Sequence, residues 1–187
     1  MENTKSDIEI IRSIIAGDKT AFKALYQRYA RKHMLTCLRY AQSRADAEDL
    51  LQESYIKIYK DLHQFKPEKA KFGTWSNKVI VNTCLMKLRK KNIFTSIENV
   101  EEKTKDIQTK ENALDKLSLK ELTYLIAQLP DGYRTIFNMF VIDGYSHKEI
   151  SELLNISINT SKTQLLKAKK TLQKKIKSRE AIVPNSV

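Results

Sequence analysis

The fold is decided by residues 146–170, SHKEISELLNISINTSKTQLLKAKK. Ser146 and Glu149 have the spacing of a capping box, and the apolar residues that follow recur with helical spacing, so a short helix is predicted. Asn155 to Ser157 predict a tight turn, and a basic helix follows from Ile158. This order of elements indicates a helix-turn-helix, a motif that places its second helix in the major groove of DNA.

The second helix of this motif mixes side chains that suit base edges with lysines that suit phosphates. These residues are Lys162, Thr163, Gln164, Lys167, Lys169 and Lys170. The alternative interpretation is a basic, solvated helix in a protein-interaction bundle. The caps, the turn and the charge together favour DNA binding.

The rest of the chain is also predicted to be helical. Apolar residues recur at three- and four-residue spacing from Asp7 to about Lys91, and only four glycines and three prolines interrupt 187 residues. We therefore predict an all-α protein with two small helical domains, residues 6–91 and 117–178, and a tail at 179–187. Residues 65–73, FKPEKAKFG, hold a proline and a glycine and are predicted to form a loop between helices.

The two predicted domains are basic and the segment between them is acidic. Residues 1–91 carry a formal charge of +9, residues 92–116 of −2 and residues 117–187 of +5, which together give the net +12. Residues 92–116 lack a periodic apolar face, so they are predicted to form a flexible linker. Two basic bodies around an acidic segment suit two separate contacts with a polyanion.

Motifs of several other functional classes are missing from the sequence. It contains no GxxxxGK[ST], HExxH or GxSxG motif, which argues against an enzyme acting on nucleic acid. Cys37 and Cys84 form no CxxC or histidine cluster, so they are predicted to be reduced core thiols, with neither metal nor cofactor. No signal-peptide stretch and no apolar run of about 18 residues is present, so we expect a cytoplasmic protein without membrane insertion.

Two features of the first domain suggest binding sites. Acidic and amide side chains follow one helix, at Asp46, Glu48, Asp49, Gln52 and Glu53, where ordinary complementation of the helix dipole is the competing explanation. Residues 66–91 then hold eight basic side chains against one acid, with Phe65, Phe72 and Trp75 interleaved. Aromatic rings beside cations suit single-stranded DNA, although Phe72 and Trp75 could equally seal the core over the loop.

Three motifs in sequence order resemble those of extracytoplasmic-function sigma factors, the specificity subunits of bacterial RNA polymerase. They are DAEDLLQESYIKIYKDL (46–62), FKPEKAKFGTWSNKVIVNTCLMKLRKK (65–91) and LPDGYRTIFNMFVIDGYSHKEISELLNISINTSKTQLLKAKKTL (129–172). They are similar, respectively, to the polymerase-binding helix, the minus-ten reader and the minus-thirty-five reader of that family. The resemblance covers residues 6–177.

The resemblance implies a role for each domain, with residues 6–91 as sigma region 2 and residues 117–178 as sigma region 4. The polymerase-binding residues would be Asp49, Gln52 and Glu53. The minus-ten element, with one base flipped from the stack, would contact Lys57, Phe65, Phe72, Trp75, Asn82, Arg89 and Lys90. The minus-thirty-five element would contact Thr160, Ser161, Lys162, Thr163, Gln164, Leu166 and Lys167.

The implied partners are core RNA polymerase, promoter DNA and an anti-sigma factor. The sequence departs from the family pattern at Met86, where many members carry Asp, at Ser161, which replaces a common Val, and at Gln164 and Phe140, which are often basic. These departures bear on the promoter sequence more than on the function. The alternative function is a helix-turn-helix repressor that does not bind polymerase, but a repressor has no reason to carry the acidic helix and the aromatic loop.

Overall fold

Every regular element is a helix in residues 5–90 and 119–180, the parts of the chain that the computed structural model describes. The chain divides into two compact units at Leu88 and Arg89. The all-α prediction is therefore confirmed. The predicted linker, residues 92–116, lies outside the described residues, as does most of the predicted tail.

The described residues of the first unit form four α-helices. They are α1 (Asp7–Ile15), α2 (Ala21–Tyr40), α3 (Arg44–Asp61), which runs into a 3-10 turn (Leu62–Gln64), and α4 (Phe72–Lys90). The predicted loop is therefore shorter than expected, because Phe72 and Gly73 already belong to the first turn of α4. Their backbone is helical because the carbonyl of Lys71 accepts from the amides of Thr74 and Trp75.

Side-chain caps begin several of these helices. The Ser43 hydroxyl accepts from the amide of Asp46 at 3.0 Å and caps α3. Ser6 and Glu9 form a complete capping box at the start of α1. Before α2, the Oδ1 of Asp18 accepts from the amides of Thr20 and Ala21, although the N-cap position itself is Thr20.

Helices α2, α3 and α4 pack around one core, with α2 and α4 parallel to each other and α3 antiparallel to both. On α3, Tyr55 hydrogen-bonds His33 and Tyr59 packs on Phe22, so α3 is antiparallel to α2. On α4, Phe72 packs on Tyr29 and Ser76 hydrogen-bonds His33, so α4 is parallel to α2. Leu25, Ile58 and Ile80 are each fully buried between these helices. Burying one such side chain contributes about 1.5–3 kcal/mol, so this core is what holds the surfaces of α3 and α4 in place.

A buried polar chain crosses this apolar core. His33 is 0% exposed, with Nδ1 2.8 Å from the Tyr55 hydroxyl and Nε2 3.1 Å from the Ser76 hydroxyl. Burial lowers the pKa of His33 to about 4, so the imidazole is neutral at pH 7. The predicted core position of Cys37 and Cys84 is confirmed, since both thiols are fully buried.

The second unit contains the remaining described helices. They are α5 (Leu119–Ala127), α6 (Asp131–Phe137), which continues as a π-helical turn (Asn138–Ile142), α7 (His147–Leu154) and α8 (Ile158–Glu180). Asp131 and Gly132 form the first turn of α6, directly after Pro130 at the N-cap position. The Asp131 carboxylate accepts from the Arg134 guanidinium at 2.6 Å within that turn.

Helices α7 and α8 form the predicted helix-turn-helix. Ser146 and Glu149 complete the capping box of α7, and Asn155 ends that helix in the left-handed conformation at a φ of 56°. Ile150 and Leu154 are buried at 0% and 2% exposure and fix α7 against the unit's core. Within the described ranges, no helix has the length and apolar character to cross a membrane.

Candidate functional site

One exposed face of α3 carries the three residues that the sequence assigned to polymerase binding. Asp49, Gln52 and Glu53 are spaced by three and four residues, which places them on one side of the helix. The side chain of Asp49 is 74% exposed and that of Glu53 is 54% exposed. Ile56 continues this face and is 55% exposed. The structure therefore brings the predicted residues together around an exposed apolar side chain, and we call these four residues the α3 face.

Lysines border the α3 face where α3 packs against α4. The Lys57 ammonium donates to Glu53 Oε1 at 2.8 Å and lies 3.4 Å from the Thr83 hydroxyl. The Lys87 ammonium lies 3.4 Å from Asp46 and 4.0 Å from Asp49. Exposed pairs of this kind contribute at most about 1 kcal/mol, so a cationic partner could exchange with the lysines at low cost.

The aromatic residues near the loop form one cluster. The Phe65 ring centroid is 5.7 Å from Phe72 and 5.6 Å from Trp75, and Phe72 is 5.8 Å from Trp75. Phe65 and Trp75 are half-buried, whereas Phe72 is only 3% exposed. The burial of Phe72 agrees with the alternative that this residue seals the core. Phe72 therefore supports the rings of Phe65 and Trp75 and does not offer its own surface to DNA.

Tyr29 on α2 packs against the buried side of this cluster. Its ring packs edge-on against Phe72 at 5.2 Å and stacks on His33 at 5.6 Å, and its hydroxyl donates to the carboxylate of Asp7 on α1. Burial and the Asp7 carboxylate raise the pKa of Tyr29 to about 12, so the hydroxyl keeps its proton. A Cβ at Gly73 would lie 3.0 Å from the Tyr29 ring, which is tighter than an ordinary van der Waals contact, so a larger residue there would force the ring to shift by a few tenths of an ångström.

A single stripe along α4 carries most of the other predicted minus-ten residues. Trp75, Asn82 and Arg89 recur at seven-residue spacing and therefore lie on one side of the helix, and Lys90 flanks the end of the stripe. Asn82, Arg89 and Lys90 are exposed. From Trp75 to Arg89 the stripe is about 21 Å long at about 1.5 Å per residue. Lys57 lies beside it through its contact with Thr83, a neighbour that sequence reasoning missed.

The outward face of α8 presents four of the seven predicted minus-thirty-five residues. Lys162 is exposed, and Thr163, Leu166 and Lys167 are partly exposed along the same side. Thr160 is partly exposed in the first turn, where its amide is capped by the Ser157 hydroxyl at 2.9 Å. These residues have the placement that major-groove contacts require.

Ser161 and Gln164 do not have that placement, which corrects the sequence-based assignment. Ser161 is 0% exposed and Gln164 is 6% exposed, because both lie on the side of α8 that faces the domain core. Neither side chain can contact a base edge in this conformation.

His147 is a residue of this region that sequence reasoning missed. Its Nδ1 lies 2.9 Å from the Ser161 hydroxyl, and its ring stacks on Phe140 at 4.4 Å with an interplanar angle of 24°. Partial burial and then the charges of Lys162 and Lys169 lower its pKa. The only sequence signal was that Ser161 and Phe140 both depart from the family pattern.

Comparisons with known proteins agree with this geometry. A family model described as Sigma-70 region 2 matches residues 25–93, and one described as Sigma-70, region 4 matches residues 119–172. The chain is 28% identical to the ECF RNA polymerase sigma-E factor of Haemophilus influenzae, with 94% of this chain and 98% of the relative aligned. It is 30% identical to the ECF RNA polymerase sigma factor SigW of Bacillus subtilis, with 89% and 95% aligned.

A solved structure with a similar fold is that of the sigma factor RpoE in complex with the anti-sigma factor NepR from Bartonella quintana. The TM-score is 0.51 over 83% of this chain and 96% of that chain, at 18% sequence identity. At this identity the likeness concerns the fold alone.

Proposed function

The chain belongs to the extracytoplasmic-function family of RNA polymerase sigma factors, and we propose that it binds core RNA polymerase, directs it to specific promoters and assists DNA melting. Residues 6–91 are assigned to polymerase binding and the minus-ten element, and residues 117–178 to the minus-thirty-five element. Residues 92–116 link them, and residues 179–187 form a tail. The protein acts in the cytoplasm as a binding factor and not as an enzyme, and an anti-sigma factor restrains it.

The observation that carries this proposal is the α3 face. A DNA-binding repressor needs no exposed acids around an exposed isoleucine on a helix outside its helix-turn-helix. An apolar centre with a charged rim is the usual anatomy of a protein interface. The α3 face therefore suits a partner that offers basic side chains around an apolar contact, and we assign that partner as the core polymerase.

The α4 stripe and the aromatic cluster suit an unwound DNA strand. Asn82 can hydrogen-bond a base edge, Arg89 and Lys90 can follow the phosphates, and Trp75 and Phe65 can stack on bases. Flipping one base from the duplex costs a few kcal/mol, and stacking on an aromatic side chain recovers about 1–3 kcal/mol per base. The free energy gained by stacking is therefore comparable to the cost of flipping the base, so binding can assist melting without any covalent step.

The α8 face suits duplex DNA in the major groove. Lys162 and Thr163 can donate to base edges, Leu166 can contact a thymine methyl group, and Lys167 can reach a base or a phosphate. Buried Ser161 and Gln164 contribute to the position of the helix and not to base contacts.

Co-purification with core polymerase, followed by run-off transcription from a genomic library, tests the proposal. Charge reversal at Asp49 and Glu53 to Lys should abolish co-purification because both acids lie on the α3 face. Asp61→Lys is the matched control, since Asp61 is a partly exposed acid near the end of the same helix and points about 120° away from Asp49. The docking assignment is wrong if the double variant still co-purifies with polymerase, or if the control substitution reduces co-purification as much as the double variant does.

Run-off transcription also separates the sigma factor from the repressor. Transcripts that depend on the added chain support the proposed function, and their start sites yield the two promoter elements. Sequence-specific DNA binding without polymerase association would instead support the repressor.

Base contacts by Lys162 and Lys167 can be tested on those promoters. Replacing both with Ala should weaken binding to the identified minus-thirty-five sequence more than to scrambled DNA. Lys174→Ala is the control, because Lys174 is exposed further along α8. Equal losses on both DNA sequences would show that Lys162 and Lys167 contact phosphates only.

A further inference from the structure

Three residues form a contact set between the two helices of the helix-turn-helix. His147 is the first residue of α7, Ser161 lies in the first turn of α8, and Phe140 lies in the π-helical turn before them. The ring of His147 is held on one side by the Phe140 stack and at Nδ1 by the Ser161 hydroxyl. In the described parts of the chain, nothing hydrogen-bonds the other ring nitrogen, Nε2, and the ring is partly exposed.

This position lies where a helix-turn-helix meets the DNA backbone. When the second helix enters the major groove, the first helix crosses the phosphates at the edge of the groove. His147 begins the first helix and touches the second helix one residue before Lys162. No Asp or Glu occurs between Glu152 and Glu180, so α8 itself offers His147 no counter-charge.

In the free protein, the surroundings of His147 disfavour its protonated form. Burial has the largest effect and lowers the pKa of His147, and Lys162 and Lys169 on α8 lower it further. On its own helix the neighbouring charged residues are Lys148 and Glu149, and Phe140 from the π-helical turn carries no charge. A DNA phosphate near Lys162 would oppose the field of both lysines and favour the imidazolium form.

We propose that His147 contacts a DNA phosphate through Nε2 and takes up a proton when the helix-turn-helix binds DNA. Ser161 makes this exchange possible, because a hydroxyl can donate to neutral Nδ1 or accept from protonated Nδ1–H. A valine at position 161 could do neither. The inference rests on the proposed function of residues 117–178 and adds to it a pH dependence of DNA affinity.

Holoenzyme reconstituted with the full chain is titrated with a fluorescent promoter duplex, taken from the run-off experiment, between pH 6 and 8. Affinity should fall as the pH rises, by about tenfold for each unit by which DNA raises the pKa of His147. His147→Gln should bind more weakly at pH 6 and show a flatter profile. His147→Arg carries a permanent charge and should bind at pH 8 nearly as well as wild type binds at pH 6.

His63→Gln is the matched control because His63 is exposed and bonds only the carbonyl of Lys60 among the described contacts. It should keep the wild-type profile. Parallel profiles in wild type, His147→Gln and His147→Arg would overturn the inference, because a purely structural histidine changes affinity equally at every pH. A wild-type holoenzyme that binds no duplex at any pH would instead refute the proposed function itself.

Discussion

Acidification should destabilise the first unit through the buried side chain of His33, in addition to the effect of its carboxylates. The ring is fully buried with a pKa of about 4, against 6.5 for an ordinary histidine. Between these two pKa values, His33 is therefore neutral in the folded protein and protonated in the unfolded chain. Above pH 6.5 both states are neutral and the full stability is present. As the pH falls from 6.5 towards 4 the stability is lost, and below 4 both states are protonated and the loss stops.

The magnitude follows from the difference between the two pKa values. One pKa unit corresponds to about 1.36 kcal/mol. Proton uptake at His33 by the unfolded chain should therefore lower the free energy of unfolding by about 3 kcal/mol between pH 6.5 and 4. Small domains have only about 5–15 kcal/mol in total, so the effect is large. Its structural origin is that protonation would add a charge between the Tyr55 and Ser76 hydroxyls, where no acid among the described residues hydrogen-bonds the ring.

Urea unfolding followed by the fluorescence of Trp75 measures this effect. Trp75 is the single tryptophan and packs against Phe65 and Phe72, so its signal reports the first unit. His33→Gln is the comparison, because glutamine keeps hydrogen-bonding groups but does not titrate. Glu9 and Asp18, whose pKa values are lowered by hydrogen bonds, occur in both proteins, so their contributions cancel. Equal pH dependence of wild type and His33→Gln over this range would refute the reasoning.

Three further predictions concern local geometry. Gly73→Ala should destabilise the first unit because the added Cβ would lie 3.0 Å from the Tyr29 ring. In a Tyr29→Ala background the same change should instead stabilise the unit by up to about 1 kcal/mol, because Ala has a higher helix propensity than Gly. Urea unfolding of the four proteins gives the coupling, and additive effects would exclude the clash. Ser146→Ala should cost about 1 kcal/mol through loss of the α7 cap, measured by thermal unfolding, and an unchanged melting temperature would contradict the cap's role. Asn155→Ala should cost about 1–2 kcal/mol because of its φ of 56° while Asn155→Gly should be tolerated, and equal stability of both variants by the same measurement would contradict this.

Local patterns in the sequence correctly predicted the helices and several of their ends. Ser43, Ser146 and Asn155 act on amides or dihedral angles within about four residues, so their effect depends on little beyond the adjacent chain. The spacing of Asp49, Gln52 and Glu53 likewise requires that they share a face once α3 is helical. For the same reason the helix-turn-helix and the shared side of Asp49, Gln52 and Glu53 could be predicted before any packing was known, whereas the exposed Ile56 beside them came from the structure.

Tertiary structure alone decided which face of each helix is buried and what lies beside it. A helical pattern does not distinguish the exposed Lys162 from the buried Ser161 and Gln164, because that depends on how α8 packs against the rest of its unit. The contact of His147 with Ser161 spans 14 residues and that of His33 with Ser76 spans 43. Such contacts form only when helices pack side by side, and the low pKa of His33 and the position of His147 beside α8 follow from that packing.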